Sequence, residues 1–514
     1  MKTIIRYLTG AALIAALIAQ GTGSALAQAK TSEATQACLG CHESATPGIV
    51  ADWRSGRHSK MTIDDALKKP ALERRISIDK APQGMSGIVV GCAECHTINA
   101  DSHKDTFEHN GFKVHVVVTP QDCAECHPVE RDEYAKNIMS QAYGNLVNNP
   151  VYHGRMDSTN GMAAFDGKRA AIGKPDQITQ DDSCLYCHGT KIEVKGLKAR
   201  ETSMGEMKFP ELAGWPSVGV GRINPDGSKG SCTSCHPRHA FSIETARKPA
   251  TCSECHKGPD VPAYKVYSVS KHGNIYAADK GKWHFDAVPW KLGEDFTAPT
   301  CAACHVSLIV GPDGSQIAKR THQMNDRLPY RLFGLIYATP QPKSPDTTII
   351  RNKAGLPLPS ELTGEPAAAY LIDAKEQARR LAAMQAVCLA CHAQPWVDGH
   401  FARLDQSIKT TNEMTLTATK IVLAAWDKGL AKGLAQHDSI FNEAIEKMWV
   451  EEWLFFANST RFASAMGGAD YGVFADGRWA MSRNIQKMSD WIEFLEATHK
   501  GMKDNKKIKS KEKH

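Results

Sequence analysis

The chain has 514 residues, room for two or three ordinary domains, yet only 42% of it is hydrophobic and 7% aromatic. That is thin for a side-chain core of this size, so something besides side chains is expected to fill part of the interior. The formal charge of +6 gives no support for nucleic-acid binding, and no stretch beyond the N-terminus is long and apolar enough to span a bilayer.

In chain order, the first element is a leader. Lys2 and Arg6 form a charged head, Ile4 to Ile18 an apolar run, and Ala25-Leu26-Ala27 a small-x-small cleavage site. Residues 1–27 therefore read as a cleaved signal peptide, with a retained membrane anchor as the alternative. The mature protein is expected to be exported to the periplasm or an equivalent compartment, and not to be an integral membrane protein.

Sixteen cysteines follow, all in Cys-x-x-Cys-His: Cys38/Cys41/His42, Cys92/Cys95/His96, Cys123/Cys126/His127, Cys184/Cys187/His188, Cys232/Cys235/His236, Cys252/Cys255/His256, Cys301/Cys304/His305 and Cys388/Cys391/His392. Composition alone predicts about 0.02 such pentapeptides. Disulfides, zinc sites and thioredoxin-like pairs do not explain a histidine after every second cysteine; haem attachment does. Two thiols three residues apart can each add to a haem vinyl group, and the next imidazole then points at the iron. Eight covalently attached haem c groups are expected. At about −1 charge per ferric haem, and without the leader, the mature protein comes out neutral to mildly acidic.

The motifs are irregularly spaced, which excludes a solenoid of equal repeats. Linkers rich in Gly, Pro, Asn and Asp, such as Gly219 to Gly227, read as loops over haem faces. The proline-rich segment from Asp346 to Thr363 reads as a surface excursion. Helices are then expected over Ala367 to Cys388, Met414 to Leu434, Asp438 to Met466 and Met481 to His499. The third has Phe441, Ile445, Met448, Trp449, Trp453 and Phe456 at spacings of three and four, with Asp438 as N-cap and Gly467-Gly468 as stop. The fold class is thus mainly α: a loop-rich, haem-packed body and a C-terminal bundle of long helices. Residues 501–514, rich in lysine, read as a solvated tail.

A haem with two axial histidines only passes electrons; chemistry needs an open iron. Thirteen histidines remain outside the motifs: His58, His103, His109, His115, His153, His239, His272, His284, His322, His400, His437, His499 and His514. Seven or eight closed irons are both compatible with that number, and His499 and His514 are the weakest candidates.

The run Trp215-Pro216, Gly219 to Gly227 and Cys232 to His239 leads to Ala246-Arg247-Lys248-Pro249, Gly258-Pro259-Asp260 and Ser270-Lys271-His272-Gly273. Thr321-His322, Asp326-Arg327 and Gly468-Ala469-Asp470-Tyr471-Gly472 follow. Together these resemble the octahaem hydroxylamine oxidoreductase family, which includes hydrazine dehydrogenases and related nitrite reductases. The resemblance covers essentially the whole mature chain.

It implies a homotrimer, an octahaem domain over 28–400 and a helical trimerisation region over 401–500. It implies a five-coordinate catalytic haem at the fourth site, held by Cys184, Cys187 and His188, with the other haems bis-His and conducting. The motifs point to His58, His153, His239, His272 and His322 as distal ligands, with the remainder drawn from His103, His109 and His115. Tyr471 matches the tyrosine that, in oxidising members, bonds to a neighbouring subunit's catalytic porphyrin; an ordinary packed tyrosine is the other reading. Asp260 matches a catalytic proton acceptor, with a turn residue beside Pro259 as the plainer reading. The sequence departs from the family at Val261, where a histidine usually follows the aspartate. The implied reaction is hydroxylamine oxidation to nitric oxide or nitrite, with electrons leaving to a cytochrome partner. Reduction of nitrite or hydroxylamine to ammonia, hydrazine oxidation and pure electron transfer are the alternatives.

Overall fold

The computed structural model describes residues 30–511 apart from 169 and 203, with side chains described to residue 498. The expected leader lies outside these residues.

The body, up to about residue 373, is built from short helices that carry the attachment motifs. Glu33–Ala45 holds the first, capped by the Ser32 hydroxyl accepting from Thr35 N. Cys92–His96, Cys184–His188 and Cys301–His305 are single turns made of the motif itself. One helical turn is the conformation the motif needs, since it puts cysteines three residues apart on one face. The first two motifs are locked together. Thr35, fully buried, donates to Glu94 Oε2 at 2.8 Å and accepts from Ala93 N at 3.1 Å.

Strands are few, in five two-stranded antiparallel pairs among the described residues. The longest is a hairpin of Glu193–Thr202 with Gly205–Ala213, kinked by a bulge between Val194 and Gly196. It stands between the fourth and fifth motifs and is an element the sequence pattern did not announce.

The C-terminal region is long helices: Ala374–Leu389 with the eighth motif, Gln394–Asp427, Ala444–Val450, Ala457–Met466 and Arg478–Lys511. Gln394–Asp427 begins some twenty residues before the expected start and runs through the expected boundary at residue 400. Val397, Phe401, Leu404, Ile408 and Thr411 give its first half an inward stripe at spacings of three and four. The helix expected from Asp438 starts instead at Ala444, with Glu443 as N-cap. It is interrupted by a π-helical turn, Glu451–Phe456, which rotates Glu452 and Trp453 into the core. It stops at Gly467, whose φ of +75° suits glycine. The last helix continues to Lys511, through most of the stretch read as a tail; lysine is a good helix former.

The main core joins these helices through Val422, Trp426, Ile445, Trp449, Trp453 and Met488. The Trp449 indole donates to Thr419 Oγ1 at 2.9 Å and the Trp426 indole to Glu446 Oε1 at 2.9 Å. The segment 346–363 is not a surface excursion. Ile350, Leu358 and Ser360 are buried, and Leu356, Leu358 and Leu362 pack on the helical core. Proline holds backbone extended but does not keep neighbouring leucines in water.

Candidate functional site

The motif histidines are held from behind. His42 Nδ1 pairs with Thr46 Oγ1 at 2.9 Å, His96 Nδ1 with the His115 carbonyl at 2.8 Å, His188 Nδ1 with the Ala142 carbonyl at 3.3 Å and His305 Nδ1 with the Met324 carbonyl at 3.4 Å. Such bonds fix the tautomer and leave Nε2 to face a metal.

The thiols are not equally enclosed. Cys41, expected to hold the first haem, is exposed, and so is Cys391 of the eighth; the other fourteen are partly covered. The reason for Cys41 is its helix, Glu33–Ala45, which lies at the edge of the body with Thr35 as its one buried residue. Its partner Cys38 is half-buried, and burial together with Glu94 raises that thiol. Exposure leaves the attachment chemistry of Cys41 intact, since a thioether needs reach to a vinyl group and not enclosure by protein. It does leave one edge of the first site open to solvent.

Several motif histidines face a second imidazole. Ring centres are 6.1 Å apart for His42 and His109, 6.4 Å for His58 and His127, 6.5 Å for His236 and His322, and 6.1 Å for His272 and His392. Two imidazoles bound to one metal at about 2 Å each stand about 6 Å apart, centre to centre. Burial, reinforced by neighbouring imidazoles, pushes His58 and His236 down to about 4 and His322 to about 3. They are neutral at physiological pH, as metal ligands must be. These pairs, flanked by paired thiols, fit covalently held haem.

The other candidates are placed differently. His239 lies within electrostatic reach of His96, which, after burial, is the largest influence lowering it. His153 stands on the helix Pro150–Asn160 with Nε2 3.5 Å from Asp157 Oδ2. His103 and His115 stack on each other at 3.7 Å. His115 is also 6.0 Å from His96, but its own carbonyl receives His96 Nδ1, so it sits behind that ring.

The fourth site has a charged setting. Gly189, directly after His188, has a φ of +94°, and a Cβ there would come within 2.3 Å of Arg222 N. The loop 219–222 closes on it, with Val220 N donating to the Cys187 carbonyl at 3.0 Å and Gly221 N to the His188 carbonyl at 3.2 Å. Burial lowers His188, opposed by the Ala142 hydrogen bond and by Asp260, with Arg331 pushing the same way as burial. Burial raises the Cys184 thiol; Arg155 opposes and Asp260 adds to it. Asp260 also acts on Cys187, His256 and Arg155. Its carbonyl accepts from Asn458 Nδ2 at 2.9 Å, which ties it to the C-terminal helices. Arg331 donates to the Tyr152 hydroxyl at 3.2 Å. Arg155 and Arg331 each keep a buried Nε–H without a protein partner.

Tyr471 is half-buried on the short helix Ala469–Val473. Its carbonyl accepts from Ser459 Oγ at 3.3 Å, one residue along from Asn458. Burial, Asp476 and Asp470 raise its phenol.

Three family models match in overlapping windows: "Cytochrome c554 and c-prime" over residues 122–208, "Cytochrome c7 and related cytochrome c" over 171–258, and "Seven times multi-haem cytochrome CxxCH" over 221–325. A solved structure described as a hypothetical multiheme protein is 40% identical, with a TM-score of 0.86, over 92% of this chain and 98% of its own. The chain belongs to the multihaem c-type cytochromes. Among curated proteins, the cytochrome is similar to a probable nitrite reductase-hydroxylamine oxidoreductase fusion protein of Kuenenia stuttgartiensis, at 29% identity over 297 residues. That match covers 52% of the cytochrome and 25% of the relative, so it concerns about a quarter of the relative's length. The reducing HAO-like protein complex of the same organism shares the fold, with 20% identity and a TM-score of 0.60 over 92% of the cytochrome and 87% of that chain.

Sequence reasoning missed Tyr152, Arg155 and Arg331 in this cytochrome. Arg155 stands two residues from a candidate ligand, which was the one available signal. Arg331 reaches the fourth site only through the fold.

Proposed function

We propose that this cytochrome is an oxidoreductase whose fourth site does redox chemistry on a small nitrogen compound while the other seven sites pass electrons. The observation that carries this reading is the setting of His188. Asp260, Arg155 and Arg331 lie within electrostatic reach of this motif, whereas His42, His127, His236 and His392 face a second imidazole; of these groups Asp260 also reaches His256 of the sixth motif, so the two arginines are what set the fourth site apart.

A haem c held by Cys184, Cys187 and His188 would supply an iron able to take a nitrogen lone pair and exchange electrons. Asp260 is the proton carrier of the site, giving protons during reduction or taking them during oxidation. The orphaned Nε–H groups of Arg155 and Arg331 suit anions, either a haem propionate or nitrite.

Reduction of nitrite or hydroxylamine toward ammonia is the direction the geometry supports best. Two guanidiniums favour an anionic substrate, and Val261 supplies no imidazole to relay protons out at neutral pH. Oxidation of hydroxylamine to nitric oxide or nitrite is the second reading. It rests on Tyr471 and on exposed Val473, Phe474 and Trp479 around it, an apolar surface suited to a neighbouring subunit of a homotrimer. Both readings place the protein outside the cytoplasm, in exchange with a partner cytochrome.

Steady-state assays with nitrite, hydroxylamine and hydrazine test the reading. Turnover with nitrite and a monomer band after boiling in detergent are expected; a trimer band that survives boiling supports Tyr471 and oxidation. An electron paramagnetic resonance spectrum of the oxidised protein with low-spin ferric signals alone would reduce the fourth site to a conductor.

A further inference from the structure

Arg461 is 0% exposed among the C-terminal helices, and its hydrogen bonds go to neutral oxygens. Nε donates to Thr411 Oγ1 at 2.9 Å, Nη1 to the Leu332 carbonyl at 3.1 Å and to Asn458 Oδ1 at 3.2 Å, and Nη2 to Asn412 Oδ1 at 2.7 Å. Burial lowers the group to about 9, opposed by Glu452, so it stays cationic at neutral pH. A guanidinium taken out of water without an ion pair is costly, and apolar side chains of similar volume often stabilise a core better. Stability of the bundle does not explain Arg461. The segments that supply its acceptors do.

Two of them form a base. Thr411 and Asn412 are neighbours on Gln394–Asp427, and Asn412 is itself fixed, accepting from Ala338 N at 3.1 Å and donating to the Ala338 carbonyl at 3.0 Å. The other two lead to the fourth site from different directions. Leu332 directly follows Arg331, which keeps its buried Nε–H free of a protein partner. Asn458 passes the contact on, its Nδ2 donating to the Asp260 carbonyl at 2.9 Å. Asp260 lies in the turn 258–262, ahead of the helix Ala263–Val269, and this bond ties the turn to the bundle.

We propose that Arg461 is a positioning residue for the fourth site, setting Asp260 through Asn458 and Arg331 through the Leu332 carbonyl. The inference rests on the fourth site being the reactive one. The guanidinium is a planar fork that holds several acceptors in one geometry, which an ammonium cannot do. The two groups it sets have complementary tasks, Arg331 toward an anion and Asp260 toward protons. A small displacement of either costs binding and rate more than it costs folding.

The test uses the haem-loaded full chain, with Asn458→Ala and Arg461→Lys as variants. Thr419→Val is the control: Thr419 accepts the Trp449 indole at 2.9 Å on the same long helix and serves the hydrophobic core instead. Nitrite is titrated into the ferric protein and followed by haem absorption, and kcat, KM, Tm and haem iron per chain are measured. Both variants should keep their haem iron, bind nitrite about tenfold more weakly or worse, and lose kcat to a similar extent. Thr419→Val should lower Tm alone. Unchanged nitrite affinity and kcat in both variants, or an equal loss in Thr419→Val, would overturn the positioning role. Failure of both variants to load haem would make Arg461 and Asn458 part of the fold alone. Wild-type protein with no spectral response to nitrite would remove the reactive fourth site itself, and the positioning with it.

Discussion

The body and the C-terminal helices solve the same problem, burying enough surface to fold, in opposite ways. In the helical region side chains fill the interior: Trp426, Trp449 and Trp453 meet edge to face at 6.2 and 6.0 Å, and Ala418, Val422 and Ile445 close the gaps. Around the attachment motifs, opposed imidazoles and most of the thiols line the interior; the fourth site has a small apolar cluster, Leu146, Met156 and Leu185, and an aromatic core of the body's own, Trp283, Phe285, Trp290 and Phe296, lies beside the seventh motif. One region is stabilised by packing that the chain brings with it. The other has such packing beside the seventh motif and elsewhere leaves imidazoles and thiols for its prosthetic groups to cover, which fits a 514-residue chain with so few aromatics.

The largest effect that could break this comparison is loss of haem attachment. Full-length protein made without covalent haem should be cut by protease throughout 30–373, whereas the haem-loaded protein resists. Equal resistance of both would mean that the body's side chains suffice.

Within the body, Asp260→Asn should lower kcat by about a hundredfold to ten-thousandfold, the usual worth of a positioned proton carrier, while the haem absorption spectrum stays unchanged. A variant with wild-type kcat would return Asp260 to a turn residue beside Pro259.

In the bundle, Trp453→Ala should cost about 3–5 kcal/mol, the usual range for emptying a buried aromatic site, read as a lower Tm at unchanged haem content. A loss of haem instead would show that the two regions are not energetically distinct.

The smallest effect concerns pH. Burial raises Glu446 to about 7 and Glu452 to about 8, so the folded chain holds these protons more tightly than the unfolded one. The associated stability is complete below the ordinary glutamate range, about 4.3, and is lost as pH rises through 7 and 8. Glu452→Gln should therefore flatten the fall in Tm between pH 5 and 8. An unchanged slope would assign the effect to other groups.

How much of this could be read in advance differed by region. The haem motifs were fully legible, because covalent chemistry needs its residues adjacent in sequence. Their surroundings were not: Cys41 and Cys391 have the same spacing as the rest, and nothing in that spacing marks them as the two exposed thiols. The distal histidines were legible as a pool. His58, His272 and His322, to which the motifs point, stand opposite motif histidines, and so does His109, which no local pattern told from His103 and His115, whose rings meet each other. The helices were legible as periodicity. The early start at Gln394 was masked by polar outward residues, and the π turn at 451–456 repeats no pattern a window could detect.

The chain's order of residues determined by itself that this is a multihaem c-type cytochrome, where its eight Cys-x-x-Cys-His motifs lie, and that long helices follow. Those outcomes depend on neighbours within one or two turns. Only the tertiary structure decided that Arg331 and Asp260 act on His188, that 346–363 turns inward, and that two histidines between the second and third motifs share a closed polar cluster. Each of these joins groups far apart in sequence, and the relative position of distant segments is set by packing, on which local spacing carries no information.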